Sequence, residues 1–490
     1  MKQLPLFRSL AAVAFLLAAA LTLWAATGID TTQQAPFPEI IVVNSTGDGD
    51  DAFPGDGQCE TAVGNGVCTL RAAIEEANAH AGGDGIFFSI PTSDPGCDPA
   101  SGVCIVSLFN SLPDITDSVN ISGPGANKLF IDGSGDERFP TRVFNVTTSG
   151  TVSFSGITIA FGFTTGAQYG AGIQNVNGGT VNITNCTLSN NQAHVVSGSY
   201  DGGGAAIYNA SNGTVNITSS TFLLNRADSY GLVSYGGAIW NKSGTIHVSN
   251  STFDHNQSSY EGGGIWNDAG NVTVTGSTFY GNGAEIGGGI GSVGGTVSIS
   301  NSTFHANIAY AFNRGVGGAI VNYKKSVLNL TNSTVTGNFS NYAGSGVYND
   351  NTFGAIANVK STIIAFNYLG TSGSGAAPDV YGPFNSAGFN LIAKKDGSTG
   401  FTAATDKKGT IAAPLNPQLD PKGLRNNGGP TQTVALVKGS PAIDKGTSSS
   451  LTGTLTTDQR GFARKVDNSS IPNPPGGDGT DIGAFELGAQ

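Results

Sequence analysis

The feature that most constrains this chain is a motif that returns along it. Gly203-Gly204-Ala205-Ala206-Ile207-Tyr208-Asn209 is followed by Gly236-Gly237-Ala238-Ile239-Trp240-Asn241, Gly262-Gly263-Gly264-Ile265-Trp266-Asn267, Gly287-Gly288-Gly289-Ile290 and Gly317-Gly318-Ala319-Ile320-Val321-Asn322. Degenerate copies stand at Gly172-Ile173-Gln174-Asn175 and Gly346-Val347-Tyr348-Asn349. Each copy leads into an alternating Val-x-Ile or Val-x-Val segment and then a Ser-Thr-Phe-x-x-Asn unit, as at Ser251-Thr252-Phe253 to Asn256. From motif isoleucine to closing asparagine the distance is 17 or 18 residues every time, whereas the return to the next isoleucine takes 14, 9, 8 and 13. One side of the repeat is constant and all variation falls in one connection, as in a solenoid whose loops grow on a single edge.

The alternation has period 2, so Val272 and Val274 face one way and Thr273 the other. Coils stacked about 4.8 Å apart bring equivalent residues into columns. Ile239, Ile265, Ile290 and Ile320 form one apolar column, and Phe222, Phe253, Phe279 and Phe304 another. Asn209, Asn241, Asn267, Asn322 and Asn349 form an amide column at a turn, where asparagine tolerates the backbone and bonds to the coils above and below. The reading is an all-β chain: a right-handed parallel β-helix, three-sided, with about 25–34 residues per coil and one N-terminal capping helix. The helix is Thr69 to Ala79, capped by Thr69, with Leu70, Ala73, Ile74 and Ala77 on one face. It is expected to cover the open N-terminal end.

The 73 glycines and 12 % charged residues fit this architecture and exclude an α-solenoid. With 38 % hydrophobic residues the chain is not a disordered one. The net charge of −11 argues against nucleic acid and anionic membrane as partners. Lys2 and Arg8 precede an apolar run from Leu10 to Ala26, with Ala26 and Gly28 placed for cleavage by a signal peptidase. Residues 1–28 therefore read as an export signal, and an uncleaved membrane anchor is the alternative. No later stretch could cross a bilayer as a helix, so no transmembrane span is expected in the mature chain, which is read as a monomer. The organisation follows: 1–28 signal, 40–150 N-terminal cap and early coils, 151–392 regular repeats, 393–490 C-terminal cap.

In an exported protein Cys59 with Cys68 and Cys97 with Cys104 are candidate local disulfides, and a metal site is the weaker alternative. Cys186 occupies a position filled by serine in neighbouring repeats and reads as a small buried residue. Asp48, Asp50, Asp51 and Asp56 form an acidic loop with some likeness to Ca²⁺ loops but no EF-hand spacing, and a solvated loop is the simpler account. Calcium is the one candidate ion. No other cofactor, no metal site and no catalytic residue is assigned.

Several segments resemble known families. Asp56-Gly57 through Cys59 and Cys68-Thr69-Leu70-Arg71-Ala72-Ala73-Ile74-Glu75-Glu76-Ala77-Asn78 resembles the CSLREA domain of bacterial exported proteins, with Thr69 and Ala72 replacing the name-giving Ser and Glu. The repeats resemble those of polymorphic outer-membrane proteins and of the pectin-lyase-like right-handed β-helix group. Asn427-Gly428-Gly429-Pro430-Thr431, Gly439-Ser440-Pro441-Ala442-Ile443-Asp444, Asp458-Gln459-Arg460-Gly461 and Asp481-Ile482-Gly483-Ala484-Phe485-Glu486 resemble the choice-of-anchor domain. These resemblances imply a right-handed β-helix at or beyond the cell surface and no settled activity. Such proteins often continue into a sorting anchor. Only Leu487-Gly488-Ala489-Gln490 follows the last motif, so release into the medium is the expectation.

Chemistry must sit on outward columns. Tyr208, Trp240 and Trp266 fall on adjacent coils and would suit the apolar faces of sugar rings, unless the long loops fold over them. A second outward column holds Asp254, Tyr280 and His305, with Asp254 and His305 two rungs or about 9.6 Å apart. The expected function is that of an exported, non-catalytic, adhesin-like protein binding a polysaccharide, a cell-surface glycan or another surface through these six residues. A polysaccharide lyase or glycoside hydrolase on the same scaffold and a structural spacer are the alternatives, since fold alone does not choose.

Overall fold

The computed structural model describes residues 39–489 apart from 167, 197–200, 230–232, 312–313 and 371–377, so the expected export signal at 1–28 lies outside the described residues. The chain winds into a parallel β-solenoid of about nine turns. One coil shows the construction: strands Ile265–Asp268, Asn271–Thr275, Thr278–Tyr280 and Gly283–Ala284 follow one another around it. Equivalent strands pair in register with the coils above and below, Ile239 with Ile265 and Ile265 with Ile290. The three expected sides are a ten-stranded Trp face, a twelve-stranded long face and a thirteen-stranded Phe face. Directly after the closing asparagine the chain adds an eight-stranded ledge of two- to four-residue strands, which the sequence pattern does not announce.

Side chains alternate as period 2 requires. Val272 and Val274 are buried and Thr273 is exposed. The phenylalanine column stacks face to face, with centroids of Phe253 and Phe279 4.5 Å apart and of Phe279 and Phe304 4.7 Å apart. One continuous core runs from Ile41 to Phe401. The glycine pairs are required by the corner. Gly262 holds φ +67°, a left-handed backbone that favours glycine. A Cβ on Gly263 would lie 2.4 Å from the Gly288 carbonyl oxygen of the next coil.

Two asparagine columns fill the corners. In the expected one, the Asn209 amide donates to the Asn241 side-chain oxygen at 2.9 Å and Asn241 to Asn267 at 2.8 Å; Ser292 takes the next place. The second column uses the closing asparagines. From Asn191 through Asn225, Asn256, Asn282, Asn307 and Asn338 to Asn367, each amide donates at 2.9 Å to the next side-chain oxygen. Each amide also reaches a backbone carbonyl, as Asn256 does to Phe222 at 2.9 Å. All are fully buried and satisfied, the condition for burying a polar side chain.

The helix spans Leu70–Ala79 with the Thr69 hydroxyl accepting from the Ala72 backbone N–H, as expected. Its buried face joins the core beside Ile41 and Ile86 of the first two rungs. No helix among the described residues is long and apolar enough to cross a membrane. The C-terminal region departs from expectation. Phe384 and Phe401 plug the end of the core, with ring centroids 5.1 Å apart. Lys407–Lys408 add one more strand to the Phe face beyond Leu391–Ile392, and the chain from about residue 430 runs back along that face. Its own small core packs Ala435, Leu436, Ile443, Ile482 and Phe485 against Ile363 and Leu391 of the solenoid. Polar side chains fasten it: Gln459 bonds to Thr303 and Thr278, and Arg464 to Asn301. The reason is chemical. The outward threonines of the Phe face offer a ladder of hydroxyls that the tail, with no periodicity of its own, can grip at several rungs.

Candidate functional site

On the Trp face the outward column runs in register through Tyr208, Trp240, Trp266, Gly291 and Val321 to Tyr348 and Tyr381. The vertical stacking expected of Trp240 and Trp266 is present, but the open strip is not. Trp240 is 1 % exposed, Trp266 2 % and Tyr208 6 %. The cover is a second column formed by the residue just before each glycine pair: Tyr235, Glu261, Ile286, Val316 and Ala343 are bridged rung to rung. Tyr169 stacks on Tyr208 at 4.6 Å, and Tyr235 lies 4.7 Å from Trp240 and 5.8 Å from Trp266. The Trp266 ring occupies the space beside Gly291, where a Cβ would approach it to 2.3 Å. These aromatics form a satellite core sealed by apolar burial. The reading of Tyr208, Trp240 and Trp266 as a sugar platform is thereby corrected. Tyr200 and Tyr230 lie outside the described residues. Glu261 interrupts the apolar cover, and burial pushes its carboxyl up to about 7.

Past Ala343 the outward column reopens. Tyr348 and Tyr381 stack with centroids 5.1 Å apart and an interplanar angle of 1°. Sequence reasoning reached Tyr348 but missed Tyr381, because the motif around Asp379-Val380-Tyr381 has lost its glycines.

The Phe face keeps the other candidate column together. Asp254 pairs with Tyr280 and Tyr280 with His305 on three successive rungs, all half-buried. The Tyr280 and His305 rings are 6.0 Å apart and nearly parallel, at 9°. His255 meets Tyr280 edge-on at 5.0 Å and bonds to the Asp254 carboxylate. His305 Nδ1 lies 3.1 Å from the Thr336 carbonyl, so that nitrogen carries the proton and Nε2 is left as an acceptor. Burial pushes the His305 pKa below its ordinary value, which keeps the ring neutral at pH 7. Opposite stands the hairpin Leu419–Arg425 and Thr433–Leu436, where a Cβ on Gly423 would come within 3.8 Å of His305 Nε2. The next outward residue, Thr336, is buried at 3 %, so the row closes there. The result is an outward row of a carboxylate, a phenol and an imidazole at rung spacing, with the His255 imidazole beside Asp254 and Gly423 near the His305 end. Such a row donates and accepts hydrogen bonds. Stacking also turns its ring faces toward one another, so it offers edges and polar atoms outward.

Both expected disulfides are formed, Cys59–Cys68 and Cys97–Cys104. Cys186 is free and buried, and burial pushes its thiol up to about 11. The acidic N-terminal loop is occupied with its own helix. Asp48 makes two bonds of 2.9 Å to Arg71, Glu75 accepts from the Asp51 N–H at 2.7 Å, and Glu76 accepts from Gly55 and Gly57 at 2.5 and 2.6 Å. Among the described residues no group of three or more His, Cys, Asp or Glu side chains is arranged to hold a metal ion. No known protein family, curated protein or solved structure matches the chain.

Proposed function

We propose that the chain is an exported, non-catalytic β-solenoid that binds carbohydrate at the Phe-face row of Asp254, Tyr280 and His305. The observation that carries the reading is the row itself: three half-exposed hydrogen-bonding side chains at one-rung spacing, with Gly423 near the His305 end. Sugar hydroxyls are recognised by such placed donors and acceptors. The neutral His305 fits an uncharged ligand. The apolar run at Leu10–Ala26 and the CSLREA-like segment after Cys68 support export and display at or beyond the cell surface.

A glycan array on the folded chain tests this. Binding should fall at least tenfold in Tyr280→Ala and in His305→Ala, and Trp266→Ala should act only through stability. Loss of binding in a folded Trp266→Ala variant with Tyr280→Ala unaffected would return the site to the Trp face. An array with no bound glycan would remove the proposal.

A further inference from the structure

The long face differs from the others in its chemistry. Its outward positions form three columns, one at each end of the five-residue strands and one in the middle. The first column, Thr151 to Thr296, is threonine on five of six rungs, with Asn271 the exception. The third, Ser155 to Ser300, is serine or threonine throughout, and the middle one is Ser, Asn or Thr except at His247. From Asn120 to Ser300 no outward position carries Asp, Glu, Lys or Arg, although the chain as a whole has a net charge of −11. No Phe, Tyr or Trp stands at these outward positions. Exposed rims of Ile40 and Phe87 mark the N-terminal edge, and Lys360 the other.

The columns are internally bonded. The Asn216 amide donates to the Asn182 side-chain oxygen at 2.9 Å and Asn182 to Ser153 at 3.1 Å. In the third column the hydroxyls of Thr218 and Ser249 lie 3.1 Å apart, as do those of Thr275 and Ser300. Side-chain ladders of this kind hold a sheet flat and fix side-chain positions. Each group retains further hydrogen-bonding capacity toward solvent. The face is thus a two-dimensional array with one period of about 4.8 Å between rungs and another of about 6.7 Å along each strand.

The chemistry of this array removes most partners. Nucleic acid and anionic lipid need cationic side chains. Protein interfaces are anchored by Trp, Tyr and Arg, and Ser and Thr contribute little. A neutral, flat, periodic partner remains, and both periods are comparable to oxygen repeats in hexagonal ice. We propose that the long face between Thr151 and Ser249, clear of the tail residues Leu451 and Thr452 that stand beside Thr273, Thr275, Ser298 and Ser300, binds ice: its hydroxyls and amides hold first-layer water at lattice positions, and the threonine methyls exclude competing orientations. The proposal is independent of the row on the Phe face.

Thermal hysteresis and ice-crystal shape, measured on the full chain, test it. The wild type should hold a gap between melting and freezing points and facet growing crystals. Thr245→Lys, in the threonine column of the face, should abolish both with an unchanged melting midpoint of the protein. Gln257→Lys on the ledge should leave both in place. No gap in the folded wild type overturns the proposal. A gap that survives Thr245→Lys overturns the assignment to this face, and retention on crystalline cellulose or chitin without a gap replaces ice with an ordered glycan.

Discussion

The corner columns of the solenoid and the interior of the C-terminal tail bury polar groups in opposite ways. Between Asn191 and Asn367 the buried groups are neutral amides, each copying the one below. In the tail they are ionisable side chains used once: Arg464 and Glu486 are wholly buried 3.6 Å apart, and Arg460 and Asp458 pair at 2.7 Å. An amide donates and accepts, so a column of amides satisfies itself at any length. A carboxylate only accepts, so it can only end a column. Asp379 does this, accepting from the Asn367 backbone and amide at 2.8 and 3.0 Å, and Asp406 does it for Asn390 at 3.2 and 3.0 Å. Periodicity supplies satisfaction without specific partners, whereas the tail has to find each partner singly.

The sharpest way to break this contrast is Arg464→Met. The guanidinium reaches Asn301 at 2.6 Å, the Gly483 carbonyl at 2.7 Å and the Asn332 carbonyl at 3.2 Å, so it binds two rungs to the tail. Its loss leaves the Asn301, Gly483 and Asn332 oxygens buried without their donor, at about 1–3 kcal/mol each, so a destabilisation of at least about 3 kcal/mol is expected. Hydrogen exchange should show the loss confined to residues from about 415 onward. Equal loss of protection across the solenoid would mean that the two regions are one cooperative unit.

The next test uses the difference between an interior and a terminal rung. Asn256→Asp keeps the shape but cannot donate to the Phe222 carbonyl or to Asn282, both now met at 2.9 Å. An unsatisfied buried group costs about 1–3 kcal/mol, so a loss of about 3 kcal/mol is expected at pH 7. The reverse exchange, Asp379→Asn, keeps the acceptor oxygen and should be nearly neutral. Denaturant midpoints compare them, and equal losses would contradict the terminal role of the carboxylate.

The same contrast explains what could be read from the amino acids alone. Ile265, Phe253 and Asn241 declare their neighbours because each neighbour is a copy at a fixed interval. The closing asparagines carry that signal too; the Phe-x-x-Asn spacing contains the second column without stating what the amides bond to. The ledge was not legible, since its two-residue strands fit no periodicity. The burial of Trp240 and Trp266 could be stated only as the alternative to an open strip, because it depends on the path of loops of unequal length. Gln459 and Arg464 find Thr303 and Asn301 more than 150 residues away in the chain, and no pattern joins them. Asp254, Tyr280 and His305 could be placed in one row, because register alone sets their spacing. The approach of Gly423 could not.

The smallest expected effect is the pH dependence, and it divides the regions again. Burial pushes the carboxyls of Asp379 and Asp481 up to about 6, Glu261 up to about 7 and Glu486 up to about 9. A carboxyl raised on folding favours the native state fully below its unfolded pKa, about 4, and that contribution is lost as pH rises through the folded value. Hydrogen bonds instead push Asp94 and Asp478 down despite their burial, so their contribution is lost only on further acidification. The melting midpoint should therefore be highest near about pH 4 and decline toward pH 9. Asp379→Asn should flatten the decline between pH 4 and 6 and leave the upper limb. Glu486→Gln should flatten the limb between pH 7 and 9, with the change in hydrogen exchange confined to the tail. A decline above pH 7 that is unaltered in Glu486→Gln would show that the buried tail cluster does not set it.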